Sequence, residues 1–317
     1  MDTKERKFIV KIAKLYYLEG WTQSQIAKKV GLSRPIISKA LKQAKEKDIV
    51  EIYIKDEAAH TVELEMQLEK RYGLKEVLVI AGKNGSREKT QSQLGSVAAN
   101  YLAKRLDEVR TVGISWGKSM QAMVEAFPNM EKPHIHIVPL IGGMGQSHVN
   151  YHSNHLTFEL AQKLNTRSSY LYAPAVAETT EFKKEIIASK DVAEVLEVGK
   201  KVDIAVVGVG HPVIQTTMKE LGYLSEEDIQ TLQETEAVGD INSNFYNAAG
   251  ELIRHSLNDR QIGLCLEDIK KIPEVITIVQ GAHKVESVRV ALEAGILTTL
   301  VLDDQTAELL LESSSLN

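Results

Sequence analysis

The stretch VRTVGISWGKSMQAMVEA, residues 109–126, decides the fold class. It reads as a buried strand over 109–117, a glycine-bearing turn, and a helix over 118–126. The turn ends in Gly117-Lys118-Ser119, which is how a nucleotide-binding P-loop ends. A P-loop requires G-x-x-x-x-G-K-[ST], so that successive backbone N–H groups wrap a chain of phosphates. Its first glycine would fall at position 112, where this chain has Val112; Gly113 stands one residue too late. A triphosphate with Mg²⁺ is therefore not indicated. What remains is a turn whose amides lie at a helix N-terminus, a natural place for one anion. Ser115 and Ser119 add hydroxyls, and Lys118 adds charge. The turn predicts a site for a single phosphate.

The same strand-then-helix rhythm recurs on both sides. Candidate strands are VLVIAG (77–82), IHIVPLIGG (135–143), SYLYAP (169–174), DIAVVGVG (203–210), VITIVQG (275–281) and TTLVLD (298–303). They are Val/Ile-rich and mostly unbroken, as strands covered on both faces should be. Helical segments fall between them, including a long one through QLGSVAANYLAKRL. The expectation is α/β: a doubly wound, mostly parallel, Rossmann-like sheet whose ligands bind beyond the C-terminal strand ends. Four strands end in glycine: Gly117, Gly142 with Gly143, Gly208 with Gly210, and Gly281. Glycine there lets backbone approach a ligand closely, so these positions predict a binding rim. HTVELEMQLEKRYG (60–73) reads as an amphipathic linker helix with Val62, Met66 and Leu68 or Tyr72 inward.

The 317 residues allow two domains and a sizeable core. No apolar run reaches the roughly 20 residues of a membrane span, and no signal peptide is visible. The single cysteine, Cys265, cannot form an internal disulfide, which suits a reducing cytoplasm. The net charge of −5 conceals an asymmetry. Residues 1–55 hold 13 basic and 6 acidic side chains, a surplus of seven, which leaves −12 for the rest. Contact with a polyanion therefore falls to the basic head.

That head, residues 1–56, reads as three short helices and a wing. KFIVKIAKLYYLEG puts Phe8, Ile12, Leu15 and Tyr16 on one face before Gly20. Thr22 is placed to cap a second helix with Ile26, Ala27 and Val30 inward. After the Gly31-Leu32 turn, Ser33 is placed to cap a third helix, with Pro35 in its first turn and Ile37, Leu41 and Ala44 inward. This is a helix-turn-helix pattern, and EIYIK (51–55) alternates as a small wing strand would. The second helix of such a pair enters the DNA major groove by its N-terminal part. Arg34, Ser38 and Lys42 project beside Ser33, and Arg34 suits guanine O6 and N7. Thr22, Gln23, Lys28 and Lys39 suit phosphate contacts.

LYYLEGWTQSQIAKKVGLSRPIISKALKQAKEKDIVEI (15–52) resembles the N-terminal domain of the SorC family of bacterial sugar-binding transcriptional regulators. The resemblance continues through GISWGKSM, PLIGGMG, SNHLTFELAQKL, YLYAP, VVGVG, EAVGDINSNFYNAAGELI and QGAHKVESVRVALEAGILTTLVLDDQTAELLL, and so covers most of residues 57–317. It implies an effector domain related to sugar-phosphate isomerases and deaminases but turned into a sensor, in dimers of dimers. It implies Lys118 and Ser119 as phosphate-loop positions, with His152 and Asn154 in the wall above Gly142-Gly143. Asp240 would accept sugar hydroxyls, and Lys284 would neutralise a phosphate or carboxylate. One residue departs from the family: Ile141 stands where some members carry a cation that contacts the effector. An apolar side chain there pairs no second phosphate and forms no imine with a sugar aldehyde.

Two rival readings come from the same residues. His148, His152 and His155 are spaced for one helical face and could hold Zn²⁺, but a loop after Gly145 would separate the first, so no metal is expected. A retained isomerase or deaminase would need a general base and a partner acid. Asp240, Glu236 and His152 are its candidates, with no matched pair evident. The expectation is a cytoplasmic, non-enzymatic transcriptional repressor without a cofactor. It binds a pseudo-palindromic operator as a dimer or tetramer and is controlled by a phosphorylated sugar or related small anionic metabolite.

Overall fold

The computed structural model describes residues 3–313, except 51–55, 57, 83–85, 144, 146–147 and 221. The wing expected at 51–55 lies outside the described residues. The chain divides into two compact units, residues 1–59 and 60–317.

The first unit is built on α1 (Thr3–Tyr17), α2 (Gln23–Val30) and α3 (Arg34–Glu46). Thr22 starts α2 with a reciprocal capping box: its hydroxyl accepts from the Gln25 N–H at 3.3 Å, and Gln25 Oε1 accepts from the Thr22 N–H at 2.8 Å. Gly31, at φ 70°, stops α2 in the left-handed conformation. Ser33 stands at the N-cap of α3, but its hydroxyl makes no capping bond. Pro35 in the first turn of α3 supplies the pre-set φ instead. Ile9, Ile12, Leu15, Ile26, Ile37, Leu41 and Ala44 form one buried cluster, with Phe8, Tyr16 and Val30 half-buried at its margin.

The second unit carries α4 (Ala59–Tyr72), α5 (Arg87–Arg105), α6 (Lys118–Ala126), α7 (Ser153–Lys163), α8 (Thr180–Ala188), α9 (Lys190–Gly199), α10 (Thr217–Glu220), α11 (Glu226–Gln233), α12 (Ser256–Arg260), α13 (Leu266–Ile269), α14 (Val285–Glu293) and α15 (Asp304–Glu312). Seven of its strands make one sheet. They are β1 (Glu76–Ile80), β2 (Thr111–Ile114), β3 (His136–Pro139), β4 (Arg167–Ser168), β5 (Ile204–Val207), β9 (Glu274–Val279) and β10 (Thr299–Asp303). The order is β1-β10-β9-β5-β2-β3-β4, parallel throughout. Three short strands, β6 (Val209–Gly210), β7 (Gly239–Ile241) and β8 (Asn244–Tyr246), form a separate antiparallel sheet.

Alternation along β5 shows why the large sheet is double-faced. Ile204 and Val206 join the cluster under α5, α6 and α7, whereas Ala205 and Val207 join the cluster holding α14 and α15. The doubly wound expectation therefore holds. From β2 the chain runs outward through β3 to β4; from β5 it runs the other way through β9 to β10. The order reverses between β2 and β5, which opens a crevice beyond their C-terminal ends.

Two expectations need correction. SYLYAP (169–174) is not a strand of the sheet. The edge strand β4 is the Arg167-Ser168 pair before it. Beyond it the Asn154 side chain takes both backbone groups of Leu171, accepting from its N–H at 2.8 Å and donating to its carbonyl at 3.0 Å. In α4 the buried residues are Leu64 and Leu68, while Val62 and Met66 are 45% and 64% exposed. The face is turned because Glu65 and Glu69 reach across to the edge strand β1. Their carboxylates accept from the N–H groups of Val79 (2.8 Å) and Val77 (3.1 Å), donors that would otherwise be left on a bare edge.

Candidate functional site

The crevice beyond β2 and β5 is a cavity built from segments far apart in sequence. Its floor is Ser115 to Ser119, the turn between β2 and α6, and Gly208 to Gly210, the end of β5 and start of β6. Asp240 and Asn242 reach it from the β7–β8 hairpin, Lys284 from the turn before α14, and Arg87 and Gln91 from α5. Residues 215–218 and Glu220 cover one side.

Local chemistry shapes each wall. Gly117 has φ 114°, which an L side chain rarely adopts, and this bend aims α6 at the cavity. Its N–H is used, donating to the Tyr151 carbonyl at 2.9 Å, so the free amides must come from the next turn. The first N–H groups of any helix have no intrahelical acceptor, and here those of Lys118, Ser119 and Met120 begin α6. Gly210 answers a different need. A Cβ there would stand 2.0 Å from Asp240 Oδ1, so only glycine leaves room for that carboxylate.

A two-residue hairpin turn holds the floor in place. Asn242 and Ser243 both take positive φ, 53° and 58°, between the paired Ile241 and Asn244. Asn242 Oδ1 accepts from the Ser115 hydroxyl at 2.7 Å, and Ser243 Oγ accepts from Trp116 Nε1 at 3.1 Å. Asn242 Nδ2 donates to the carbonyls of Leu140 and Leu264. Buried polar groups satisfied this fully rigidify the loop they hold.

The cavity is electrically mixed. Asp240 is 8% exposed. Burial pushes its carboxyl up to about 6, against the pull of the Lys284 charge and the Ser243 amide. Burial also lowers the Lys284 ammonium, which Asp240 and Glu220 favour and Arg87 and Lys118 oppose. Beside it His283 is pushed down to about 4 by burial and then by the charges of Lys284, Arg87 and His211, so it is neutral at physiological pH. Lys118 Nζ donates to Glu220 Oε2, Arg87 Nη1 donates to Gln215 Oε1 at 3.0 Å, and Gln91 Nε2 donates to Ser119 Oγ at 3.0 Å.

Of the positions anticipated for an effector, the cavity brings together Ser115, Gly117, Lys118, Ser119, Gly208, Gly210, Asp240 and Lys284. Four others do not line it. Gly142 and Gly143 spend their amides on the carbonyls of Ile262 (3.0 Å) and Ala173 (2.8 Å). Asn154 is consumed by Leu171, and His152, buried at the start of α7, bonds Tyr223 Oη at 3.0 Å. Gly281 lines a neighbouring hollow with Asp303 and Asp304. Among the three acid–base candidates only Asp240 lines the cavity; Glu236 is exposed. His155 pairs with Glu159 at 3.3 Å and His148 stacks on Tyr151; among the described residues no cluster of His, Cys, Asp and Glu could hold a metal. Arg87, Gln91, Gln215, Glu220 and Asn242 were not anticipated. Only Asn242 had a signal, the polar Asn-Ser pair between apolar strand residues.

In the first unit Arg34, Ser38, Lys39 and Lys42 are exposed along α3, opposite the buried Ile37, Leu41 and Ala44. Thr22, Lys28 and Ser33 are exposed as well, and Gln23 is half-buried. The Thr22 hydroxyl is already engaged in its capping box. Among the described residues no helix is long and apolar enough to cross a membrane.

Comparison with known proteins agrees with both units. Residues 56–312 match the family described as "Putative sugar-binding domain". The chain is 31% identical over 310 residues to the deoxyribonucleoside regulator of Bacillus subtilis, covering 98% of this chain and 99% of that one. Its fold matches the crystal structure of the full-length sorbitol operon regulator SorC from Klebsiella pneumoniae at TM-score 0.76 and 31% identity, over 98% of this chain and 100% of that one. A DeoR family transcriptional regulator from Listeria monocytogenes matches 79% of this chain and 99% of its own at TM-score 0.75 and 42% identity. With a basic helix-turn-helix head, a cavity at the sheet's reversal point and these full-length matches, the chain belongs to the SorC family of sugar-binding transcriptional regulators.

Proposed function

We propose that this regulator binds a phosphorylated sugar, or a related small anionic metabolite, in the β2–β5 cavity. The observation that carries the reading is the start of α6. Its first amides, the Lys118 ammonium and the Ser119 hydroxyl lie at one cavity, which Lys284 and Asp240 also line. A phosphoryl group suits the amides and the two cations. Asp240 offers its carboxyl to sugar hydroxyls, while Asn242, bonded to Ser115, Leu140 and Leu264, holds the floor beneath them. Ile141 is fully buried and does not line this cavity, so position 141 supplies neither a cation for a second phosphate nor an amine for an imine.

The head reads operator DNA through α3, with Arg34 and Ser38 toward base edges and Lys39 and Lys42 nearby. Thr22, Gln23, Lys28 and Lys39 are suited to phosphate contacts. A dimer or tetramer places two heads on a pseudo-palindromic site, so that weak half-site affinities multiply. Such a protein works in the cytoplasm, where its DNA is. The effector shifts operator affinity only if it binds the free and DNA-bound states unequally, and the direction we favour is release, hence repression relieved by ligand. No reaction is assigned to the cavity: its second carboxylate, Glu220, is engaged by Lys118, and among the described residues no imidazole lines it to complete an acid–base pair with Asp240.

The test is a thermal-shift series on the full-length protein with pentose and hexose phosphates, their unphosphorylated parents, and small carboxylic acids. A ligand that binds only the folded state raises Tm by mass action. A shift with a phosphosugar and none with its parent supports the reading. A shift only with unphosphorylated sugars or carboxylates overturns the ligand class.

A further inference from the structure

The cavity already holds an anion of its own. Glu220 is the last residue of the short helix α10, and its carboxylate accepts from Lys118 Nζ. Lys118 begins α6, beside the amides that have no intrahelical acceptor. The Glu220 charge also favours the ammonium form of Lys284, another residue of the cavity lining. Five residues earlier, Gln215 Oε1 accepts from Arg87 Nη1 at 3.0 Å. Residues 215–220 thus cross one side of the cavity and are tied at both ends to its cations, Arg87 and Lys118. Three cations and two carboxylates line the space, and Glu220 is the carboxylate that sits on the phosphate side.

We infer that Glu220 is an internal competitor for Lys118, which an incoming phosphoryl group must displace. The inference rests on the phosphate reading of the α6 start given above. Its physical content is an exchange. In the free protein the Lys118 charge is met by Glu220; in the complex it is met by the ligand, and the Glu220 carboxylate is left facing a second anion. Repulsion between like charges then drives Glu220 away from the α6 start. Because Glu220 ends α10, that displacement moves the cover of the cavity. The competition weakens ligand affinity and in return converts ligand charge into movement of residues 215–220. A ligand lacking the phosphoryl group has nothing with which to take Lys118 and leaves the cover in place.

The experiment uses the full-length protein and inorganic phosphate as probe, titrated at constant ionic strength, with wild type, Glu220→Gln, Glu220→Ala and Lys118→Ala compared. The Lys118–Glu220 pair is half-exposed, so its loss is expected to tighten phosphate binding roughly two- to fivefold in both Glu220 variants. Lys118→Ala is expected to abolish the same binding. In wild type, phosphate is expected to speed amide hydrogen exchange over 215–220, and in Glu220→Gln exchange there is expected to be fast already. Unchanged or weaker phosphate binding in both Glu220 variants, with binding still lost in Lys118→Ala, overturns the competitor and keeps the phosphate site. Phosphate binding that survives intact in Lys118→Ala overturns the site reading itself.

Discussion

The two functional regions of this chain are assembled in opposite ways. The face expected to meet DNA comes from one helix: Arg34, Ser38, Lys39 and Lys42 are within nine residues and share the side of α3 that its apolar stripe leaves outward. The cavity draws on segments from Arg87 to Lys284, nearly two hundred residues apart, brought together only where the sheet order reverses. A convex reader can be written in one period of one helix. A concave receptor needs topology to close it. The consequence is that single substitutions in the head should act locally and independently. Those in the cavity should propagate, because each wall holds another in place.

The sharpest way to break this contrast is at Gly210. A methyl group there would fall 2.0 Å from Asp240 Oδ1, so Gly210→Ala must push the carboxylate or the β6–β7 pairing aside. We expect loss of all ligand-induced Tm shift and a stability loss of about 1–3 kcal/mol from overpacking. Operator binding by the head should persist at temperatures where the protein remains folded. A Gly210→Ala protein with a normal ligand response would mean that Asp240 does not take part in the site.

The next effect is a pH dependence at Asp240. Its folded-state value of about 6 stands above the ordinary 3.8. Between those two values the unfolded chain has released a proton that the native protein still holds. Unfolding free energy therefore falls as pH rises through that window. The loss is complete above pH 6 and absent below about pH 4, and two pH units of separation correspond to something on the order of 2–3 kcal/mol. Asp240→Asn has no such group. Its stability relative to wild type should rise between pH 4 and pH 7, measured by urea unfolding at each pH. A difference that stays flat across that range would show that the carboxyl is not held in its protonated form by burial.

Much of this was legible from the sequence, and the exceptions share a cause. The helix over 118–126, the buried strands at 77–82 and 275–281 and the three head helices follow from periodicity and caps. The strand-end glycine and the turn after it pointed to Gly117 and Lys118, and the family resemblance pointed to Asp240 and Lys284; all four line one cavity. The reading went astray where a side chain, not a period, decides. Asn154 captures the backbone of Leu171 and ends the expected strand at 169–174. Glu65 and Glu69 turn α4 by reaching the edge of β1. Gly142 and Gly143 have the composition of a rim, yet their amides are spent on Ile262 and Ala173. Glu220 and Arg87 carried no local signal, since their meaning lies in what stands opposite them across the cavity.

On the head side, Arg34→Ala should cost about 1–3 kcal/mol in discrimination at one base position, with little change at the others. Selection of binding sites from a random DNA pool, with wild type and variant side by side, reads this directly. The effector-induced Tm shift should be unchanged, because α3 is not part of the cavity. Uniform weakening at every position would make Arg34 a phosphate contact and move base reading to Ser38.

The smallest expected effect separates two roles that one residue was given. Thr22 is suited to a DNA phosphate, but its hydroxyl already accepts from the Gln25 N–H, and its own N–H is met by Gln25 Oε1. Removing such a cap costs roughly 1 kcal/mol, whereas serine preserves it. Thr22→Ala should therefore lower the stability of the head, followed by the fluorescence of Trp21 next to it, and Thr22→Ser should not. If the hydroxyl serves the fold alone, operator affinity in Thr22→Ala should return to the wild-type value once measured well below the unfolding transition. If it also touches phosphate, affinity should stay low there, and the dependence of binding on salt should remain unchanged because no charge was removed. The capped geometry favours the first outcome, since the hydroxyl that starts α2 accepts from the Gln25 N–H and also donates its proton to Gln25 Oε1 at 3.0 Å.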